Sequence, residues 1–493
     1  MLFNSTQFII FFPVVVFFYF LLPHRFRWML LLVASYYFYM CWKAEYLLLI
    51  LGSTIVDYIV AIQMSRQSTK AKKKLYLILS LAVNLGLLFG FKYFNFFSDS
   101  FRTIFDQFNV LYNVPTFKVL LPVGISFYTF QTLSYTIDVY RGKREPEKHL
   151  GIFALYVAFF PQLVAGPIER STRLLPQLVK KYNFDYNRVT DGLKLMLWGF
   201  FKKVVIADRV AVIVNQVYNN PNDAAGLPLL IGTYLFAFQI YCDFSGYSDI
   251  AIGAAKVFGI DLMQNFRRPY FAKSIREFWQ RWHISLSTWF RDYLYKSLGG
   301  NHTTHWRWYY NIMIVFLISG LWHGANWTFV IWGGLHGLYY LFSYWTRNIR
   351  PRLTRLFKLY KVPFLHKTLR VLLIFNIVSF GWIFFRANNL SDAIFIVTHL
   401  FTGIWDVLIR IKEIGITPGI FNYGFDLSVS EMFIGMCAIL ILGIHHILQR
   451  KQSVVVWLKT KPIWARWLVY YSLLISILVF GYLEPSEFIY FQF

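Results

Sequence analysis

The stretch LISGLWHGANWTF, residues 317–329, places His323 between two tryptophans in the middle of a long hydrophobic region. Basic segments flank this region on both sides. Because basic loops mark the cytoplasmic side of a membrane protein, residues 309–345 should enter and leave the membrane on the same side. We therefore predict a re-entrant hairpin whose turn is the segment HGAN, residues 323–326.

The composition of the whole chain is that of an integral membrane protein. Of the 493 residues, 57% are hydrophobic and only 15% are charged. The apolar residues form blocks of roughly 15 to 25, long enough for helices to cross a bilayer, and they lack the alternating polarity of a transmembrane barrel. The net charge of +25 comes from Lys and Arg at the block ends, which favours topology signals and anionic-lipid contacts over nucleic-acid binding.

These patterns predict an all-α polytopic membrane protein with about ten spanning helices. The basic loops 65–74, 347–370 and 450–466 are assigned to the cytoplasm, which puts both termini outside. The predicted crossings are residues 6–22, 28–42, 46–64, 75–97, 119–138, 191–216, 229–258, 369–386, 431–448 and 467–483. Residues 149–166 lie between two basic loops, so we predict a re-entrant or surface segment there.

His323 is the strongest candidate for chemistry. The first arm of the hairpin, residues 309–322, has about 14 residues and a helical length of about 21 Å, so its end should lie deep in the membrane. Ionisable side chains at that depth are costly and are usually functional, and an imidazole can act as a general base. The alternative is a histidine that holds neighbouring helices together by a hydrogen bond. For His336, in GGLHGL, packing is the favoured interpretation.

The segment SIREFWQRWHISLSTWFRDY, residues 274–293, predicts an amphipathic helix at the cytoplasmic interface. Glu277 and Arg281 are four residues apart and should pair. One interpretation is a membrane-surface anchor. The other is that Arg276 and Arg281, with His283, lie near a tunnel mouth and hold an anionic acyl donor.

Two acids, Asp243 and Asp249, fall within another apolar span, QIYCDFSGYSDI. Buried acids need partners, and Lys202, Lys203 and Arg209 on the preceding span are the candidates. Either a structural ion pair or the polar wall of a transport path would fit. The three cysteines lie far apart, with no spacing that suggests a disulfide framework or a metal site.

Five motifs together resemble the membrane-bound O-acyltransferase family. They are VGISFYTFQTLSYTIDVYRG (123–142), PQLVAGPIER (161–170), DFSGYSDIAIG (243–253), NFRRPYFAKSIREFWQRWHISLSTWFRDYLY (265–295) and LWHGANWTFVIWGGLHG (321–337). The likeness runs over essentially the whole chain, which implies a single transmembrane domain, residues 1–493, around a central funnel and tunnel. It is closest to the branch of the alginate O-acetyltransferase membrane subunit and its peptidoglycan O-acetylating relatives.

The resemblance implies roles for individual residues. His323 matches the deeply placed catalytic histidine, and His283 matches the second motif histidine. Asn326 or a backbone carbonyl would fix the tautomer of His323. The donor is expected to be acetyl-CoA, and Arg281 and Arg276 are the residues that the segment 274–293 offers for binding it. No bound cofactor or metal is expected.

The resemblance also implies an external partner with an SGNH-type acetyltransferase domain and a location in the bacterial cytoplasmic membrane. The product would be an O-acetylated extracytoplasmic polysaccharide of the alginate or peptidoglycan type. Two alternatives remain open: the D-alanyl transfer protein of teichoic acid modification, and a transporter or channel without chemistry of its own.

The final residues, SEFIYFQF (486–493), carry four aromatic side chains within six positions. They resemble the aromatic end of the short partner peptide in the D-alanine system, in which a tyrosine is thought to carry the acyl group. Tyr490 would by this likeness accept acetyl at His323 and pass it to the partner. The alternative is an aromatic anchor at the membrane interface.

Overall fold

The fold of the chain is helical, as predicted. The computed structural model describes residues 1–112, 114–117, 121–164, 166–224, 226–403, 409, 429–450, 454–482 and 488–491. No strand occurs in these ranges. Contacts between residues divide the chain into two compact units, Met1–Met196 with Ser248–Gln264 and Tyr490–Phe493, and Leu197–Tyr247 with Asn265–Ile489.

The first unit is built from helices of the N-terminal half. Their bounds are α1 Thr6–Leu21, α2 His24–Met40, α3 Leu47–Ser65, α4 Lys70–Leu88, α5 Phe94–Gln107, α6 Ile125–Tyr140, α7 Leu150–Ala158, α8 Phe160–Leu163 and α9 Ser171–Leu178. Helices α10 Tyr186–Phe200 and α12 Leu227–Phe258 belong partly to each unit.

The second unit contains the remaining helices. Their bounds are α11 Asp208–Asn219, α13 Ile275–Trp279, α14 Ile284–Trp289, α15 His305–His323, α16 Trp327–Trp345, α17 Ile349–Leu356, α18 Pro363–Arg386, α19 Leu390–His399, α20 Val429–Leu448, α21 Val454–Lys459 and α22 Ile463–Phe480. Three π-helical segments, Phe89–Tyr93, Phe201–Ala207 and Phe290–Tyr295, continue α4, α10 and α14.

Within the described ranges, six helical segments are long and apolar enough to cross a membrane. They are Ala44–Ser65, Lys70–Gln107, Leu227–Phe258, Pro363–Arg386, Glu431–Leu448 and Ile463–Phe480. They account for six of the ten predicted crossings, and the other four predicted crossings fall largely on α1, α2, α6 and the α10–α11 helix. The chain is therefore an all-α polytopic membrane protein, while the crossings assigned to these four helices remain predictions.

Most of the segment 149–166 forms two short helices, α7 and α8, and apart from Leu150 and Gly151 their side chains are buried within the first unit. The surface alternative for this segment was therefore wrong. A nine-residue helix is about 14 Å long, too short to cross a bilayer. The re-entrant interpretation remains.

A buried polar cluster joins α3, α4 and α6 in the first unit. The Asp57 carboxylate accepts hydrogen bonds from the Ser80 hydroxyl at 2.6 Å and from Asn84 Nδ2 at 3.0 and 2.9 Å. The Thr132 hydroxyl donates to Asn84 Oδ1 at 3.1 Å. Polar groups inside apolar helices stabilise a bundle only when they find such partners, so this cluster fixes the packing of the three helices.

The helical hairpin is confirmed by α15 and α16, which are antiparallel and joined by residues 324–326. Its first arm is longer than expected, because α15 begins at His305 and has 19 residues, a length of about 28 Å. Re-entry of the hairpin into the membrane stays a prediction. Glycines allow their backbones to approach closely. A Cβ on Gly320 would lie 2.2 Å from the Phe329 carbonyl oxygen, and one on Gly333 would lie 2.3 Å from that of Phe316. Because larger side chains would separate the helices, these glycines set the position of the turn that carries His323.

Candidate active site

His323 is the last residue of α15 and only 3% of its surface is exposed. The ring of His283, which is fully buried, lies 6.3 Å from the His323 ring between centroids. Both residues belong to the second unit. The structure therefore brings together the two histidines that were chosen from the sequence, and we call them the histidine pair.

The segment that carries His283 is not the continuous helix predicted for residues 274–293. It breaks between α13 and α14, and His283 adopts a left-handed backbone conformation with φ of +41°. The turn is held by Asn265, whose carbonyl oxygen accepts the Ile284 N–H at 2.9 Å and whose Oδ1 accepts the Ser285 hydroxyl at 2.7 Å. The break turns His283 into the protein, away from the interface where the helix was expected to lie.

The conformation of His283 is unfavourable for a residue with a Cβ. Left-handed backbone costs about 1 to 2 kcal/mol for such residues, and exceptions cluster at functional sites. The hydrogen bonds that Asn265 accepts from Ile284 and Ser285 offset this cost locally. The arrangement supports a functional interpretation of His283 over a surface anchor.

Aromatic rings form the wall around His323. Its ring centroid is 5.0 Å from that of Trp322, 5.0 Å from that of Trp332 and 5.3 Å from that of Phe385. Trp332 and Phe385 are themselves buried. This wall separates the imidazole from the outer surface of the second unit and limits access by water.

His336 lies about two and a half turns after the start of α16, in a different environment from that of His323. Its fully buried ring lies 5.1 Å from that of Trp279 and 5.0 Å from that of Trp332. A Cβ on Gly381 would be only 3.1 Å from His336 Nε2, so α18 packs directly against it. The structure supports the packing interpretation of His336.

Asn326 stabilises the turn of the hairpin. Its Oδ1 accepts the Thr328 N–H at 3.0 Å, which caps the first turn of α16, and its Nδ2 donates to the Asn388 carbonyl oxygen at 3.1 Å. Caps of this kind stabilise a helix start by about 1 kcal/mol. The first bond lies within the turn that follows His323, and the second joins this turn to Asn388, which follows α18. Asn326 therefore has a structural reason to be there.

The two candidate donor-binding arginines differ in their surroundings. Arg281 Nη2 lies 2.5 Å from Glu277 Oε1, which confirms the predicted pair. Arg276 is exposed on α13. The charge of Arg281 is thus already balanced within the segment.

A buried ion cluster joins Lys203 to Asp243, as predicted. Lys203 Nζ lies 2.8 Å from Asp243 Oδ1 and 2.8 Å from Asp208 Oδ1, and only 2% of the Lys203 side chain is exposed. The π-helical segment carries Lys203. Arg209 instead pairs with Glu431, and Lys202 donates to the Ser245 hydroxyl at 3.0 Å.

The same carboxylate binds the last described part of the chain. Asp243 Oδ2 accepts the Ile489 N–H at 2.8 Å. The Phe488 ring packs at 4.7 Å from that of Tyr247, and Phe488, Ile489 and Tyr490 are 1%, 2% and 9% exposed. Residues 488–490 are therefore buried in the protein, which argues against an interfacial anchor for these three residues. Residues 486, 487, 492 and 493 of the predicted anchor lie outside the described residues.

We expect Lys203→Met to destabilise the protein strongly. The change leaves the Asp208 and Asp243 carboxylates buried without their cation, and removing one partner of a buried pair costs about 3 to 5 kcal/mol. The melting temperature of the purified protein measures this. Lys194→Met is the matched control, because Lys194 pairs with Asp191 and its side chain is partly exposed. This substitution should change the melting temperature little. Equal melting temperatures for the two variants would mean that the cluster contributes no stability.

Glu169 was not identified as a candidate from the sequence, although this residue belongs to the motif PQLVAGPIER, residues 161–170. Its side chain is fully buried and accepts the Met263 N–H. Burial raises the pKa of the Glu169 carboxyl to about 7, against the opposing effect of that hydrogen bond. An acid within an apolar segment is the signal that could have found it.

Comparison with known proteins gives the family. The model of the membrane-bound O-acyltransferase family matches residues 148–384. A probable alginate O-acetylase of Pseudomonas aeruginosa is 40% identical over 410 residues, covering 83% of this chain and 76% of that protein. A peptidoglycan O-acetyltransferase of Helicobacter pylori is 37% identical, covering 80% of this chain and 78% of that protein.

More distant relatives transfer another group. A teichoic acid D-alanyltransferase of Streptococcus thermophilus is 30% identical over 241 residues, covering 44% of this chain and 55% of that protein. The family match includes both members of the histidine pair, and the relatives with the O-acetylating names extend over most of the chain. The chain belongs to the membrane-bound O-acyltransferase family, and it is an O-acyltransferase.

Proposed function

We propose that this protein takes acetyl from acetyl-CoA on the cytoplasmic side and passes it outward for O-acetylation of a cell-envelope polysaccharide of the alginate or peptidoglycan type. The choice of acetyl over D-alanyl is supported by the extent of similarity. The acetylating relatives cover about four fifths of the chain, whereas the D-alanyl relatives cover less than half.

The observation that carries the catalytic proposal is the position of His323, buried at the hairpin turn beside His283. His323 acts as general base on an acceptor hydroxyl. The acceptor oxygen bonds to the acetyl carbonyl carbon, the carbon–sulfur bond to coenzyme A breaks, and the hydroxyl proton passes through His323 to the departing thiolate. His283 orients the reacting groups, and Asn326 positions His323 by fixing the turn.

Tyr490 is the proposed first acceptor. A phenol has an ordinary pKa of about 10 and needs a base to react at neutral pH. The burial of residues 488–490 and the hydrogen bond from Ile489 to Asp243 support a fixed position for this tyrosine. An external SGNH-type partner would then receive acetyl from the Tyr490 ester and transfer it to the polysaccharide.

The side of the membrane from which the donor binds is proposed from the distribution of basic residues. Loops 347–370 and 450–466 carry many basic residues, so we assign them to the cytoplasm and the termini to the outside of the bacterial cytoplasmic membrane. Arg276, exposed on α13, is the better placed of the two arginines to contact phosphates of the donor. Arg281 contributes through its bond with Glu277, which orders the segment before His283.

A transport path along Asp243 is disfavoured. Its carboxylate is occupied by Lys203 and by the Ile489 N–H in a buried setting. Ion pathways need charged groups that face a water-filled cavity. These contacts of Asp243 favour the structural ion pair over the transport path.

The donor is tested in membrane vesicles that contain the protein and its partner. Labelled acetyl-CoA and a D-alanyl-loaded carrier protein are supplied in parallel to the cytoplasmic face, and label in the polysaccharide is measured. Transfer from acetyl-CoA alone is the expected result. Transfer from the D-alanyl carrier alone would replace this proposal by the D-alanyl one, and unchanged acetylation in vesicles lacking the protein would reject both.

A further inference from the structure

A cavity of about 780 Å³ lies in the second unit at the end of α16 remote from His323. Its volume is in the range of small-ligand sites. Residues from α16, α17, α18 and the segment before α13 line it. None of the residues assigned to chemistry above belongs to this lining.

The cavity has a strongly cationic rim. The basic residues that line it are Lys273, Arg347, Arg350, Arg355, His366 and Arg370. In the part of the chain that the structure describes, no Asp or Glu contributes to the lining. The cavity therefore favours an anionic occupant.

The contacts of Arg347 and Arg370 are made with neutral groups, so these contacts do not balance the positive charge of the rim. Arg370 donates to the Lys273 carbonyl oxygen at 3.2 and 3.0 Å, and Arg347 lies 4.1 Å from the centroid of the Tyr344 ring. Carbonyls and rings orient a guanidinium without neutralising it. Glu277, the nearest acid in the sequence, is already paired with Arg281.

Much of the remaining lining is apolar, and part of it is exposed on the outside of the protein. Phe342 is 63% exposed, Leu369 is 45% exposed and Leu373 is 59% exposed. Leu369 and Leu373 lie on α18, a segment long and apolar enough to span the membrane. The cavity wall is thus continuous with the apolar surface of a candidate membrane-spanning helix. A lipid would use this apolar surface for its acyl chains, whereas a water-soluble phosphate ligand would not need it.

We propose that this cavity binds an anionic phospholipid, with the phosphate at the arginine rim and an acyl chain along Phe342, Leu369 and Leu373. Basic pockets between helices at the cytoplasmic face are suited to such headgroups, and each Lys or Arg near the surface contributes about 1 kcal/mol. The inference concerns binding alone, so it does not depend on the acetyl-transfer proposal.

The test is native mass spectrometry of the purified protein in an equal mixture of dioleoyl-phosphatidylglycerol and dioleoyl-phosphatidylcholine. We expect the protein to retain phosphatidylglycerol with at least tenfold preference. A triple Lys273→Gln, Arg347→Gln, Arg355→Gln variant should reduce this retention at least tenfold, since about 1 kcal/mol for each cation amounts to roughly 100-fold in total.

The matched control removes the same amount of charge at the exposed start of α4, by the substitutions Lys70→Gln, Lys72→Gln and Lys74→Gln. This control should keep the preference for phosphatidylglycerol. Equal retention of both lipids, or equal loss in the control, would overturn the proposal. Displacement of the lipid by acetyl-CoA or inorganic phosphate would instead identify a soluble phosphate ligand and also reject it. If the triple variant does not fold, Arg355→Gln alone should weaken retention about fivefold, and an unchanged value would count against the site.

Discussion

A His323→Asn variant is expected to lose polysaccharide O-acetylation by at least a hundredfold while remaining folded. Asparagine fills much of the same space and can hydrogen-bond, but it cannot take a proton from an acceptor hydroxyl. General bases contribute typically 10²- to 10⁴-fold to a rate. The measurement is the rate of acetyl release or transfer in membranes containing equal amounts of each variant.

His336→Asn is the matched control, because it changes the same residue type on the other arm of the hairpin in a fully buried aromatic setting. It should lower thermal stability but retain most of the activity per folded molecule. If His323→Asn keeps normal activity, His323 is not the base. If both variants lose activity equally, the loss reflects packing and the assignment fails.

A Tyr490→Phe variant is expected to abolish delivery of acetyl to the polysaccharide. The substitution keeps the ring and its burial and removes only the oxygen that would form the ester. Without that acceptor, the proposed route has no covalent carrier between donor and partner. O-acetyl content of the polysaccharide in cells that express only the variant is the measurement.

Tyr471→Phe provides the control, since Tyr471 is 54% exposed on α22 and its hydroxyl has no assigned role. It should leave acetylation unchanged. Undiminished acetylation by Tyr490→Phe would eliminate the relay and reduce residues 488–490 to a packing role.

The hairpin could be predicted from the sequence because of charge placement. Basic segments on both sides indicate that the chain enters and returns on the same side. The length of the first arm was underestimated, because α15 begins at His305, inside the basic segment, and has 19 residues. The pair between Lys203 and Asp243 was also predictable, because charges within apolar helices must find partners. Such constraints act on composition and distance along the chain, which the sequence shows directly.

The break before His283 could not be predicted in the same way. The amphipathic pattern of residues 274–293 fits one long helix as well as two short ones. The choice depends on Asn265, which holds the turn by bonds to Ile284 and Ser285, and on the tertiary contacts that bury the ring of His283. Propensity is a weak guide where such contacts decide the backbone.

The burial of residues 488–490 could not be predicted from the sequence for a similar reason. Aromatic residues suit both a membrane interface and a protein core. The deciding contact is the hydrogen bond from the Ile489 N–H to Asp243, which joins residues far apart in the chain. A backbone N–H has no sequence signature that could reveal its partner.

The central claim is that acetyl passes through this protein on Tyr490 with His323 as the base. It is tested most directly by supplying isotopically labelled acetyl-CoA to membranes that lack the external partner, then identifying acetylated peptides of the protein by mass spectrometry. We predict labelled acetyl on Tyr490 in the unaltered protein and none in His323→Asn. Active transfer to the polysaccharide on restoring the partner, with no label on Tyr490 at any time, would contradict the account.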